Sequence, residues 1–131
     1  MAKILAIEDD VDLTTLLKKR LKDAGHEPII ANDATAGLRL ARDAKPDLIF
    51  LDLKLPTGGG LSLLKTLKTT PATKDIPVIV LTGLRSDEMK EKTLKDGAEL
   101  YMEKPYDPGV LMAAIRDVLA NKKNRPDRQE T

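Results

Sequence analysis

The chain has 131 residues, 41% hydrophobic and 33% charged, with 22 basic against 21 acidic side chains and a net charge of +1. That length supports one domain and one core, and the interspersed charges exclude the basic excess or stripe of a nucleic-acid binder over the folded part. With no cysteine and a single histidine, disulfides, thiolate and histidine-cluster metal sites and cysteine nucleophiles drop out, and a Ser-His-Asp triad is disfavoured. Phe50, Tyr101 and Tyr106 are the three aromatics, so the core falls to Leu, Ile, Val and Ala. No run approaches the ~18–20 apolar residues that span a bilayer. The N-terminal residues read directly as a strand, without a secretory leader pattern, and the expectation is a cytoplasmic protein.

Two periodicities alternate along the chain. Residues 3–8 form a short apolar run and predict a first strand. In residues 11–24, Leu13, Leu16, Leu17, Leu21 and Ala24 recur at helical spacing, with Asp10 as the N-cap and Gly25 as the stop. Residues 27–31 predict the second strand and 33–43 the second helix, capped by Asn32 or Asp33. The third strand, 47–53 (DLIFLDL), is nearly continuous in apolar residues, as for a strand covered on both faces. The glycines at 58–60 read as a flexible turn before a helix at 61–69. The fourth strand spans 78–81. The helix at 86–95 has few apolar residues, chiefly Met89 and Leu94, while Asp87, Glu88 and Lys95 complement its dipole. A fifth strand is predicted over 98–102. Asp107 and Pro108 open a last helix that faces Val110, Leu111, Ala114, Ile115, Val118 and Leu119 inward. The domain is expected over 1–121, with 122–131 as a polar, disordered tail.

Strands joined by single helices run parallel, and right-handed crossovers place helices on both faces. The fold class is therefore α/β, a doubly wound (βα)5 sheet of flavodoxin-like order 2-1-3-4-5, with its site at the carboxyl ends of strands one and three. Polar residues fall at that edge: Glu8, Asp9 and Asp10 after strand one, Asp52 after strand three, Thr82 after strand four, Lys104 and Pro105 after strand five. Converging carboxylates repel and raise at least one pKa. A hard divalent cation such as Mg²⁺ relieves them, taking one or two carboxylates and a phosphate oxygen. A carboxylate so placed is a nucleophile toward phosphorus. Lys104 adds a second positive charge and Thr82 a hydroxyl donor.

The segments KILAIEDD, DLIFLDLKLP, IPVIVLTG and YMEKPY resemble, in order and on the right elements, the marker segments of response-regulator receiver domains, and the resemblance covers about residues 2–120. It implies Asp52 as phosphoacceptor and Glu8 and Asp9 as the acidic pair, Glu8 standing where Asp is more usual. The Lys54 backbone carbonyl becomes the third protein ligand of Mg²⁺, Thr82 the switch hydroxyl, Tyr101 the switch aromatic and Lys104 the phosphate-pairing lysine, followed by Pro105 through a cis bond. The implied function is a two-component signalling switch that takes a phosphoryl group from a sensor histidine kinase or phosphotransfer protein. It catalyses only its own phosphorylation and dephosphorylation and is otherwise no enzyme. The signal would leave by contact of the fourth helix, fifth strand and fifth helix with a downstream protein. Neither nucleic acid nor membrane is bound directly, and the chain is a monomer or a phosphorylation-induced dimer.

Alternatives are a fragment of a larger regulator with an output domain, or a phosphorylation-independent scaffold. An aspartate phosphatase would carry a second Asp where Lys54 stands. A flavin module would carry a hydroxyl- and glycine-rich loop where Glu8, Asp9 and Asp10 stand, and no Gly-Lys-Ser/Thr follows the glycines at 58–60. Gly97-Ala98-Glu99-Leu100 departs from the Gly-Ala-Asp-Asp of winged-helix regulators, so their dimer mode is not expected. The Lys54 side chain has two readings, a cover over the phosphoryl group or a solvent-facing lysine. His26 reads as a surface residue.

Overall fold

The computed structural model describes residues 2–55, 59–83 and 86–124, with side chains through residue 121. Five segments, Lys3–Ile7 (β1), Glu27–Ala31 (β2), Leu48–Leu51 (β3), Val78–Thr82 (β4) and Leu100–Glu103 (β5), pair in parallel in the order β2-β1-β3-β4-β5. Between them run Val11–Asp23 (α1), Ala34–Ala44 (α2), Gly60–Thr69 (α3), Asp87–Lys95 (α4) and Pro108–Asn124 (α5). All residues of β3 and β4 are buried, which is why both read as unbroken apolar runs.

Alternation along the strands builds a core on each face. Leu5, Ile7, Ile49, Leu51 and Val80 meet Leu63, Leu64 and Leu67 of α3 on one side. Ile4, Ala6, Leu48, Phe50 and Ile79 meet Leu17 and Leu21 of α1 and Leu111, Ile115 and Val118 of α5 on the other. Cap residues set the helix starts: the Asp10 carboxylate accepts from Asp12 N and Leu13 N, Asp33 from Ala36 N, Ser86 from Met89 N, and Asp107 from Gly109 N and Val110 N.

Several boundaries differ from the sequence pattern. β5 begins two residues later than 98, because Ala98 N is spent on the end of α4, donating to the Thr93 carbonyl, and the ladder starts only with Glu99 N to Val78 O. α5 continues through Asn124, so residues 122–124 belong to the helix rather than to a tail. Alanine and lysine are good helix formers, so the sequence at 120–123 permits the extra turn. Residues 125–131 lie outside the described residues. Leu16 and Val110 face outward, 44% and 57% exposed, each lying beside a neighbour, Leu17 or Leu111, that takes the core position. His26 is half-buried rather than superficial: its Nδ1 accepts from Ala2 N at 3.2 Å, and burial holds its pKa below the ordinary 6.5.

The glycine reading also changes. Gly58 lies outside the described residues, Gly59 caps α3, and Gly60 is its first residue. A Cβ on Gly60 would stand 2.4 Å from the Leu53 Cα and carbonyl oxygen, so glycine is required there by a close backbone approach. A methyl group at that point has only main chain to push against. Gly60→Ala is expected to lower stability by about 1–3 kcal/mol, the usual cost of overpacking, measured as a fall in the urea midpoint with unchanged slope; an unchanged midpoint would show the contact to be soft.

Candidate functional site

The parallel register decides which side chains meet at the carboxyl edge. Ile7 pairs with Leu51, so the next residues, Glu8 and Asp52, emerge side by side. Asp52 N donates to the Ile7 carbonyl at 3.1 Å and Glu8 N to the Ala31 carbonyl at 2.9 Å, extending the ladder past the strand ends. Leu51 pairs with Val80, which leaves Thr82 one step further along β4 than the level of Asp52. Thr82 pairs with Glu103 on its other flank, and Lys104 N donates to the Thr82 carbonyl at 2.9 Å. The Lys104–Pro105 peptide is cis.

Glu8 and Asp52 are buried, 8% and 6% exposed, while Asp9 is exposed. One carboxylate oxygen from each of the three lies within 4.8 Å of the others. The Lys104 ammonium reaches into this cluster, donating to Asp52 Oδ2 at 3.2 Å and to Glu8 Oε1. Asp52 Oδ1 accepts from Lys54 N at 3.0 Å and Glu8 Oε2 from Asp10 N at 3.2 Å. All four carboxylate oxygens of the two buried acids therefore have a donor. Burial pushes the Glu8 carboxyl above its ordinary 4.5; Lys104 and the Asp10 N–H oppose the shift, and the charge of Asp52 adds to it. Burial alone would lower Lys104, but its hydrogen bond to Glu8 and the charge of Asp52 outweigh that and raise it above 10.5.

Glu8, Asp9, Asp52 and Lys104 thus come together as the strand-end pattern anticipates. Thr82 is fully buried at the end of β4, and Tyr101 is half-buried opposite Val80, packed on the core beneath α2, α3 and α4. Burial, then Glu103, raises the Tyr101 hydroxyl above 10. Lys54 contributes its amide to Asp52, and its exposed side chain crosses the rim, its Nζ 4.0 Å from where a Cβ of Gly83 would stand. The pairing of Glu8 with Lys104 was not anticipated. Its one signal in the sequence is the extra methylene of Glu8, which lets the carboxylate reach past the metal side to the lysine.

The carboxylates fit a hard divalent cation: one oxygen from each of three acids in a small space, with surplus negative charge that, among the described residues, Lys104 alone is seen to offset. Buried against Lys104, Asp52 is also placed as an oxygen nucleophile.

The family model described as "Response regulator receiver domain" matches residues 4–116. The phosphate regulon transcriptional regulatory protein PhoB of Klebsiella pneumoniae is 36% identical over 89% of this chain and 51% of its own length. The transcriptional regulatory protein CpxR of Escherichia coli (strain K12) is 40% identical over 91% of the chain and 50% of its own. The chain spans about half the length of these relatives. A solved CheY-like response regulator receiver domain protein from Methanospirillum hungatei JF-1 superposes with a TM-score of 0.88 at 29% identity, covering 94% of this chain and 97% of that one.

Removing Lys104 leaves two buried carboxylates facing each other. Lys104→Met is expected to cost on the order of 2–4 kcal/mol at pH 7.5. The variant loses the lysine's downward pull on Glu8, so the folded-state pKa of Glu8 rises further above its unfolded value. Stability from such a group is present below the unfolded pKa and lost as pH rises through the folded one. The deficit against wild type should therefore shrink as pH falls toward 4.5, as read from urea melts; a deficit independent of pH would refute the charge argument.

Proposed function

Because the chain belongs to the response-regulator receiver family, we propose that it works as a phosphorylation switch centred on Asp52, accepting a phosphoryl group from a sensor histidine kinase or phosphotransfer protein. The observation that carries this reading is the convergence of Glu8, Asp9 and Lys104 on Asp52 at one sheet edge. A carboxylate oxygen of Asp52 attacks phosphorus, the bond from phosphorus to the donor nitrogen breaks, and the donor keeps the electron pair. Glu8, Asp9, Asp52 and the Lys54 carbonyl would hold Mg²⁺, which when bound neutralises charge on the transferred group. Lys104 offers the phosphoryl group a positive partner, and Thr82 a hydroxyl donor. The chain carries out only this transfer and the later hydrolysis, acting on no other substrate.

Phosphorylation takes the Asp52 side chain from −1 toward −2 and gives it three acceptor oxygens. Each charge-assisted bond to Thr82 or Lys104 contributes about 1.5–3 kcal/mol. Moving a two-state element from 1:99 to 99:1 needs about 5.5 kcal/mol, so two or three such bonds suffice. In this scheme Thr82 draws the β4–α4 connection inward, Tyr101 turns toward the space it leaves, and α4 shifts. The signal then passes to a protein partner through the α4–β5–α5 face, where Leu94, Leu100 and Val110 are exposed. Its place is the cytoplasm, as a monomer or a phosphorylation-induced dimer, without direct contact to nucleic acid or membrane. A second reading rests on the half-length match to proteins named as transcriptional regulators: in a longer chain, the same face would act on an attached output domain.

Acetyl phosphate with Mg²⁺ should add about 80 Da, one phosphoryl group, to the intact mass, and Asp52→Asn should abolish the adduct. No adduct on the wild type, or an adduct surviving in the variant, rejects the assignment. Lys54→Ala should shorten the phosphoryl lifetime several-fold if the ammonium shields the group from water; an equal lifetime would make Lys54 a plain solvent-facing residue.

A further inference from the structure

Helices α1 and α4 end in the same way. Each is closed by a glycine of positive φ, Gly25 at +87° and Gly97 at +114°. Each also has the two bonds of a Schellman turn: His26 N to Leu21 O and Gly25 N to Lys22 O after α1, Ala98 N to Thr93 O and Gly97 N to Leu94 O after α4. The residue that accepts the longer bond is fully buried in both, and there the likeness stops. In α1 it is Leu21; in α4 it is Thr93, at 0% exposure.

Among the described residues, Thr93 Oγ1 has no hydrogen-bond partner, and neither has the buried Oδ2 of Asp96, the cap residue of the same turn. Little else in α4 is anchored. Thr93 is its one buried residue, Met89 is half-buried, and Leu94 points outward at 39% exposure. A buried hydroxyl without a partner opposes burial, whereas a leucine at the same place favours it.

We propose that Thr93, with Asp96 beside it, is a built-in weakness that keeps α4 loosely docked, so that the helix detaches readily when the neighbouring switch residues move. The regulatory meaning rests on the phosphorylation-switch reading; the loose docking is a property of the unphosphorylated chain and is tested there.

Hydrogen exchange of the full unphosphorylated chain is compared for wild type, Thr93→Val and Thr93→Ser. Valine keeps the shape and removes the hydroxyl, so exchange across α4 should slow about tenfold while β3 exchange stays unchanged. Serine keeps the hydroxyl and should not slow it. Exchange in α4 of Thr93→Val that equals or exceeds wild type, or slows equally in β3, overturns the proposal. Addition of beryllofluoride with Mg²⁺ should then loosen α4 less in Thr93→Val than in wild type, and an equal response overturns the regulatory half. If acetyl phosphate modifies neither protein at Asp52, the switch reading fails, and the exchange comparison still decides the docking of α4.

Discussion

A single lysine between two buried carboxylates holds the functional edge together. The register that aligns β1 with β3 forces Glu8 and Asp52 to emerge as neighbours, and the space beneath them is walled by Ala6, Leu13, Leu17, Phe50, Leu81 and Tyr106. In such surroundings charges interact more strongly than in water. Left alone, the two acids would strain the ends of the central strands. Lys104 comes from beyond β5, across β4, and ties both. The order of the strands and the bond from Lys104 N to the Thr82 carbonyl matter to the site because they deliver that ammonium.

On the proposed switch reading, the same tie makes the site responsive. Its cation is held by hydrogen bonds to oxygens, and a phosphoryl group offers more oxygens and more charge than a carboxylate. A lysine that is already charged and already at the rim needs only a change of partner. Thr82, at the end of β4, is buried, and Tyr101, on β5, is half-buried, so on the proposed switch reading the β4–β5 ladder joins both to Lys104.

Much of this was legible before the structure. A continuous apolar run marked β3 because both its faces are covered, and Asp10, Asp33 and Asp107 marked helix starts because a short acceptor side chain satisfies free amides. The acidic edge was legible because its residues end successive strands. What stayed hidden depends on approach in space. Residues 8 and 104 are far apart in the chain, so no local pattern announces their contact. The late start of β5 comes from Ala98 serving the α4 cap, a competition visible only once both elements are in place. Thr93 was missed because helical spacing favoured Leu94 by hydrophobicity, while the cap geometry turns Thr93 inward.

The close seating of Gly60 on the Leu53 backbone has a bearing on how such a chain could be adapted. It seats Leu53, the residue after Asp52, directly on the first turn of α3, whereas α4 buries Thr93 alone, so the two helices are held unequally. Anyone grafting a new output onto this scaffold has reason to leave α3 untouched and to rewrite the outer face of α4, which can be changed without disturbing the core.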